Sequence, residues 1–417
     1  MKVLIISQYF YPESFRINDI ARLLLHYGNE VVVLTGCPNY PDGLSFDGYS
    51  SYKLGSELHP DGCLIHRVPI FTRGNASTPR LFLNYVSFVL SGIFFGSYAL
   101  RNDKYDLIFV YAPSPIFQAI VGIYFKYLKR VPLVTWVQDL WPECLELTGH
   151  IQNTKILNFV SIAVGWIYKK NDLLLTQSRS FIPSVQLKAG SVPVRYFPNP
   201  GDSNLCWGNF PPSISADRFF LKSGFNIVFA GNLGTVQSLP MILDTAGILS
   251  DHCDIRIILV GSGSLSQWLE SEVQVRRLKN IVLAGRYPAD AMSAIYDQAS
   301  ALLVCLNADP VLNQTVPAKL QSYLAAGKPI IASLDGEGAQ ILIDAKAGFA
   351  CPTEDPVSLA QAILRLRNMS QEQLVSMGES GKRYFDQNYE PHLLMKELID
   401  IFAETISNAS NIKDYEK

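Results

Sequence analysis

Residues 317–329, PAKLQSYLAAGKP, put Lys319 in the first turn of a predicted helix. Gly327 ends that helix and a buried strand follows. The dipole at a helix start disfavours a cation. A lysine there is easiest to understand with an anion beside it, and a solvated surface lysine is the competing reading. Two glycine-rich turns follow apolar runs upstream, Gly231-Asn232-Leu233-Gly234 and Gly261-Ser262-Gly263-Ser264. Glycines let a backbone approach phosphate, and the next helix supplies N–H donors and a positive end. Tight turns without a ligand read the same way. In the front half, Trp136-Val137-Gln138-Asp139-Leu140-Trp141-Pro142-Glu143 leaves a buried strand with two carboxylates and two indoles. Such a set suits a sugar, with aromatic faces against the ring and carboxylates on hydroxyls. The alternative makes Asp139 a helix N-cap and Trp141 core.

The elements that must position these residues read as repeated strand–loop–helix units. VLIIS opens the chain, a helix is expected near 18–26, and a second strand spans 31–35. LIFVYAP (107–113), LVTWV (133–137) and LLLTQS (173–178) read as further buried strands. A turn-rich stretch at 196–216, with Pro198-Asn199-Pro200-Gly201 and Pro211-Pro212, marks an interdomain linker. A second series follows with NIVFAG (226–231), IRIILVG (255–261), NIVLAG (280–285), ALLVCL (301–306) and PIIAS (329–333). Continuous apolar runs of this length suit parallel sheets covered on both faces. Ligands in such folds bind outside the carboxyl ends of the strands.

The 417 residues suit two α/β domains. Apolar residues at 48% and charged residues at 17% exclude a disordered chain. Residues 1–205 hold 18 Lys+Arg against 14 Asp+Glu, a balance of +4, while the remainder is acidic by 6. A basic front half suits an anionic partner, and a chance imbalance between solvated surfaces is the plain alternative. The seven scattered cysteines include no CxxC pair, which favours a reducing compartment and argues against structural zinc. The amino terminus reads as a strand rather than a signal peptide.

Three apolar stretches stand out at 81–100, 116–128 and 156–168. They end near Arg101, Lys129-Arg130 and Lys169-Lys170. The first is long enough to span a bilayer, but Asn84, Ser87, Ser91 and Ser97 interrupt it and a strand resumes soon after. Helices partly in the core and partly at a membrane interface fit better, with ordinary core helices as the alternative.

Taken together and in order, several segments resemble glycosyltransferase family 4, in its WbuB-like branch. They are Gln8-Tyr9-Phe10-Tyr11-Pro12-Glu13, Thr35-Gly36-Cys37-Pro38-Asn39-Tyr40-Pro41-Asp42-Gly43, Asp139-Leu140-Trp141-Pro142-Glu143, Pro198-Asn199, Gly231-Asn232-Leu233-Gly234 and 317–329. The resemblance implies the α/β GT-B fold, two Rossmann-like domains whose parallel sheets face across a cleft. The expected domains are 1–205 for the acceptor and 206–388 for the nucleotide sugar, with a helix in 389–417 packing back on the first. It implies a retaining, metal-independent enzyme with no cofactor. Such an enzyme moves a sugar such as N-acetyl-L-fucosamine from a UDP-sugar to a polyprenyl-diphosphate-linked glycan. The setting is O-antigen, capsule or exopolysaccharide synthesis at the inner face of the cell membrane.

Asp139 and Lys319 become the catalytic candidates. Donor contacts fall to Gly231, Asn232, Gly234, Gln237, Gly261, Gly263, Arg286, Lys319, Ser322 and Glu337, and acceptor contacts to Glu13, Arg16, Gln138, Trp141 and Glu143. The chain departs from the family pattern. Asn232 and Gln237 stand where many members carry Arg and Lys, Gln314 and Ser322 stand for a glutamate pair, and Gln138 stands for a histidine. A sugar-nucleotide epimerase on the same scaffold and a non-catalytic assembly subunit are the rival readings. An NAD-linked oxidoreductase is disfavoured because GxGxxG is absent after the first strand.

Overall fold

The computed structural model describes residues 1–75, 77–147, 153–201 and 224–415. Most of the expected linker, including Pro211-Pro212 and Cys206, lies outside the described residues. The chain divides into two compact units, Met1–Pro198 with Leu394–Lys417, and Asn199–Leu393. The divisions fall at 198/199 and 393/394, where the sequence suggested 205/206 and 388/389.

The first unit carries an eight-stranded sheet among the described residues, in the order β3-β4-β2-β1-β5-β6-β7-β8. Its strands are β1 (Lys2–Ile6), β2 (Glu30–Gly36), β3 (Gly55–Leu58), β4 (Leu64–Val68), β5 (Leu107–Ala112), β6 (Leu133–Val137), β7 (Leu173–Thr176) and β8 (Val194–Tyr196). All neighbours pair parallel except β3 with β4. Its helices are α1 (Arg16–His26), α2 (Thr78–Ala99), α3 (Ala119–Lys129), α4 (Glu143–Leu147), α5 (Thr154–Lys169) and α6 (Phe181–Ala189). Strands β1, β5 and β6 are apolar on both faces because helices cover both. One face meets α2, α3 and α5 through Phe88, Val121, Phe125, Val160 and Val164. The other meets α1 through Ile17, Ile20 and Leu24.

The second unit has a six-stranded parallel sheet, β11-β10-β9-β12-β13-β14. Its strands are β9 (Phe225–Ala230), β10 (Ile255–Val260), β11 (Ile281–Gly285), β12 (Ala301–Cys305), β13 (Ile330–Ser333) and β14 (Gly348–Cys351). Its helices are α7 (Leu239–Ile248), α8 (Ser266–Val275), α9 (Met292–Asp297), α10 (Ala318–Ala326), α11 (Gly336–Ala345), α12 (Pro356–Arg367) and α13 (Gln371–Asn388). The last helix, α14 (Pro391–Tyr415), belongs to the first unit from Leu394 onward. There Leu394, Leu398 and Phe402 join the core around Phe109 and Trp136, with Phe402 edge-on to Phe109 at 5.1 Å. Both guanidinium nitrogens of Arg195 reach Glu404, at 2.7 and 2.6 Å.

Helix α2 packs on the domain through Phe88 and exposes much of its apolar surface. Its polar and small residues face the protein: Asn84 is fully buried, accepting from Gln8 Nε2 at 2.6 Å and donating to the Phe71 carbonyl. Ser87 Oγ accepts from the Phe71 amide at 3.0 Å. Ser97 meets Tyr124 Oη at 2.9 Å. Gly92 and Gly96 let the helix settle on Val121 and Phe125. The outward face is apolar, with Phe82, Leu90, Phe94 and Tyr98 each more than 60% exposed. Helix α5 repeats this with Phe159 and Ile162, both above 70%. By length and composition α2 could cross a membrane, yet Asn84, Ser87 and Ser97 are each bonded to this domain. The basic residues at the helix ends differ in what they do. Lys129 Nζ donates to the carbonyls of Leu100, Arg101 and Asp103, closing the C-terminus of α2, so it is not available to a surface. Arg101, Arg130 and Lys169 are exposed.

Candidate functional site

In the second unit the strand order reverses between β9 and β12. A parallel sheet has its crevice at that switch point, outside the carboxyl ends of the strands. The turn after β9 carries Gly231, Asn232 and Gly234, and the turn after the adjacent β10 carries Gly261 and Gly263. The two turns interlock. Leu233 N donates to Ser262 O at 3.0 Å, and a β-carbon on Gly261 would collide with the Gly231 carbonyl. Gly231 has φ +140° and Gly261 φ +139°, values that glycine adopts without strain. The Asn232 side chain occupies the space beside Gly234 and Gly263.

Helix α10 follows β12 and brings Lys319 across the switch point. Its ammonium lies 3.7 Å from the centroid of the Phe229 ring and donates to Gln237 Oε1. A β-carbon on Gly231 would collide with Lys319 Cε, so this glycine admits the lysine. Burial pulls the ammonium pKa from its ordinary value down to about 7, opposed weakly by Cys305. Five of the expected donor residues therefore converge: Gly231, Asn232, Gly261, Gln237 and Lys319. Ser322 lies one turn along α10, its hydroxyl bonded back to the Ala318 carbonyl. Arg286 is exposed just beyond β11, beside the β10 turn through the bond from Gly261 N to Gly285 O. Glu337 opens α11, where Gly336, at φ +68°, abuts the Asn313 carbonyl too closely for any β-carbon. Gln314 Nε2 bonds the Pro310 carbonyl within its own turn.

In the first unit the order reverses between β1 and β5. Ser114 in the loop after β5 meets Asp139 in the loop after β6, close to Tyr111 near the end of β5 and Arg16 at the start of α1. Asp139 Oδ2 accepts from the Ser114 amide at 3.0 Å and hydroxyl at 2.9 Å. Its carboxyl is pushed above the usual range by burial, with the two Ser114 bonds pulling the other way. These bonds cross to the β5 loop, so Asp139 ties two loops together instead of capping α4. Arg16 Nη1 pairs with Asp19 at 3.2 Å.

Four acceptor-side expectations are corrected. Trp141 is core, 4% exposed, with its ring edge-on to Phe117 and Nε1 donating to Ser114 Oγ at 3.2 Å. Trp136 is fully buried, and its Nε1 donates to the Phe197 carbonyl. Neither indole is open to a sugar face. Gln138 is buried as well, and Glu143 is held by Lys188 at 2.7 Å. Glu13 is also buried. Its carboxylate accepts the amides of Phe10, Asn39 and Tyr40 at 3.2, 2.8 and 2.7 Å. It clamps the β1 and β2 loops together rather than presenting itself to a ligand.

Burial pushes the Glu13 carboxyl up to about 7, against the pull of those amides and of Arg67. In the unfolded chain it titrates near 4.5. The folded state thus holds the proton more tightly. The associated stability is fully present below pH 4.5 and is lost as pH rises through 7. Glu13→Gln is expected to flatten the melting temperature against pH between these limits. Thermal unfolding at half-unit pH steps checks this, and an unchanged slope would contradict it.

The structure adds residues that spacing does not mark. Tyr9 stacks on Phe15 at 5.0 Å, Tyr40 packs against both, and Arg73 lies over the Tyr40 and Tyr9 rings. Gly43, at φ +77°, touches Gly74, which carries the Arg73 loop onto the motif containing Asn39 and Tyr40.

Known proteins share sequence and fold with this chain. Residues 224–369 match the family model described as glycosyl transferases group 1. A putative colanic acid biosynthesis glycosyl transferase, WcaI of Escherichia coli K12, is 26% identical over 345 residues, covering 78% of this chain and 82% of the relative. The sucrose-phosphate synthase of Thermosynechococcus elongatus superposes with a TM-score of 0.75 at 15% identity, over 98% of this chain and 99% of that one. Anabaena HepE, solved in complex with UDP, does so with a TM-score of 0.70 at 16% identity, over 97% and 100%.

Proposed function

This chain belongs to the GT-B, family 4-like glycosyltransferases that use nucleotide sugars, and from that premise we propose that it moves a sugar from a UDP-sugar to a polyprenyl-diphosphate-linked glycan in polysaccharide synthesis. Within the family we place it in the WbuB-like branch, with an amino or deoxy sugar such as N-acetyl-L-fucosamine transferred with retention and without a metal. One observation carries the reading: a half-buried ammonium, Lys319, held over Phe229 between two interlocked glycine turns at the switch point of the second sheet. A donor diphosphate there would meet a cation and backbone N–H groups in a site of reduced polarity. The UDP held by Anabaena HepE and the colanic acid biosynthesis in the name of WcaI support the same choice.

Lys319 stabilises the charge that builds on the departing UDP, and Asp139 holds and polarises the acceptor hydroxyl. Asn232 and Gln237 replace the Arg and Lys of many relatives, so Lys319 carries most of the positive charge facing the phosphates, with Arg286 as the second source. A nucleotide-sugar binding screen by calorimetry tests the donor assignment. UDP and UDP-sugars should bind at micromolar levels and compete with one another. Binding confined to nicotinamide nucleotides, or to no nucleotide at all, would remove the proposal.

The acceptor's lipid places the first unit on the inner membrane surface. The outward apolar faces of α2 and α5 support this, flanked by exposed Arg80, Arg101, Arg130, Lys155 and Lys169. Each such cation is worth roughly 1 kcal/mol near an anionic surface, and apolar burial adds to it. The protein should float with vesicles containing anionic lipid, and less with neutral ones. Replacing Phe82, Leu90 and Phe94 together by serine should cut vesicle binding at least about tenfold while leaving UDP affinity unchanged. Equal, negligible flotation of the wild-type protein on both vesicles would contradict the membrane placement.

A further inference from the structure

We propose that Arg73, framed by Tyr9 and Tyr40 just ahead of α2, is the binding site for the diphosphate of a prenyl-diphosphate acceptor, with the prenyl chain lying along the outward face of α2. The inference rests on the acceptor class proposed above and assigns its charged group to a place.

Arg73 differs from the carboxylate-paired arginines of the chain. Arg67, Arg195, Arg276 and Arg367 each pair with a carboxylate at 2.5–2.7 Å. Arg73 pairs with none among the described residues. Its Nη1 donates to Tyr9 Oη at 3.1 Å, and its buried Nε has no hydrogen-bond partner. Its carbon centre stands 5.0 Å from the Tyr40 ring and 5.8 Å from the Tyr9 ring. Aromatic faces attract a cation without neutralising it. The guanidinium keeps a full charge and most of a planar fork suited to phosphate oxygens.

Its position is fixed by the backbone. Arg73 N donates to Asn39 Oδ1 at 2.9 Å, and Asn39 is itself anchored by Glu13. Helix α2 begins five residues on, and its apolar stripe starts at Phe82. A diphosphate on Arg73 would therefore sit where a hydrocarbon chain can run directly onto exposed Phe82, Leu90 and Phe94. Tyr85, in the same part of α2, is close enough to feel the charges of both Arg73 and Asp139. The sugar beyond the diphosphate would start within the neighbourhood of Asp139.

The test is titration of the full chain with farnesyl diphosphate, farnesol, inorganic pyrophosphate and phosphatidylglycerol vesicles, using wild type, Arg73→Gln and Arg73→Lys. Farnesyl diphosphate should bind the wild type at least tenfold more tightly than farnesol or pyrophosphate. Arg73→Gln should weaken it at least tenfold, with Arg73→Lys between the two. Vesicle binding and UDP affinity should be the same in all three proteins, and the UDP titration doubles as a check on folding. Unchanged farnesyl diphosphate affinity in Arg73→Gln overturns the assignment. So does an equal loss of vesicle binding, which would make Arg73 a general headgroup contact. Because this readout needs no turnover, it separates from the transfer assay: a chain that binds the probe through Arg73 but transfers no sugar would fail the functional reading alone.

Discussion

Lys319→Ala is expected to lower the rate of sugar transfer roughly 10²- to 10³-fold, on the order of 3 kcal/mol of transition-state stabilisation. The loss should be large because Lys319 has little help. Among the expected donor residues only Arg286 is a second cation, and it lies exposed beyond β11. The lysine is held ready by contacts that survive without ligand, the Phe229 face and the Gln237 carbonyl oxygen. Removing it should not unfold the protein. Burial disfavours its charge and pulls its pKa to about 7, so the folded chain carries it at a cost that alanine relieves. The same depression gives a second observable. Above pH 7 the protein alone holds the amine largely neutral, and a bound diphosphate would restore the proton. Donor binding should therefore take up protons and weaken as pH rises past 7, and the dependence should vanish in Lys319→Ala. Calorimetry in buffers of different ionisation enthalpy reads this directly. Wild-type turnover in the variant, or loss of its thermal transition, would contradict the role.

Asp139→Asn is expected to lower turnover roughly 10²-fold or more while leaving UDP affinity within about twofold. The carboxylate is placed by two Ser114 donors, and asparagine can keep one oxygen accepting from them. Geometry is thus preserved while the charge that would polarise an acceptor hydroxyl is lost. Donor residues lie in the other unit, which is why affinity and turnover should separate. Burial pushes the Asp139 carboxyl upward, so activity should fall on the acid side at a higher pH than an ordinary aspartate would give. A parallel loss of UDP binding and stability would show that Asp139 serves only to join the β5 and β6 loops.

Much of this was legible in the chain. The buried strands announce themselves as apolar runs because both faces of each sheet are covered, and β1, β5, β9 and β12 all fall where those runs lie. Lys319 was visible because a cation at a helix start is out of place unless something answers it. The β3–β4 hairpin was not visible, since Gly55-Ser56-Glu57-Leu58 is short, polar and half solvated. Trp141 and Glu13 misled for a related reason. An indole or a carboxylate at a strand's end has the same sequence signature whether it meets a ligand or a loop, and only the backbone amides around Glu13 and the Phe117 ring beside Trp141 decide. Arg73 and Ser114 were silent because their partners stand far away in sequence. Helix α2 read correctly as apolar, but which of its residues turn inward, Asn84 with Phe88, and which outward, Phe94, is a tertiary fact.

The account is tested most directly by incubating the protein with UDP-sugars, with and without a polyprenyl-diphosphate-linked glycan, and following UDP release together with the anomeric configuration of the product. UDP should appear only when donor and acceptor are both present, and the new glycosidic bond should keep the donor's configuration. Conversion of the UDP-sugar to its epimer without acceptor, or UDP binding with no transfer to any lipid-linked glycan, would contradict it.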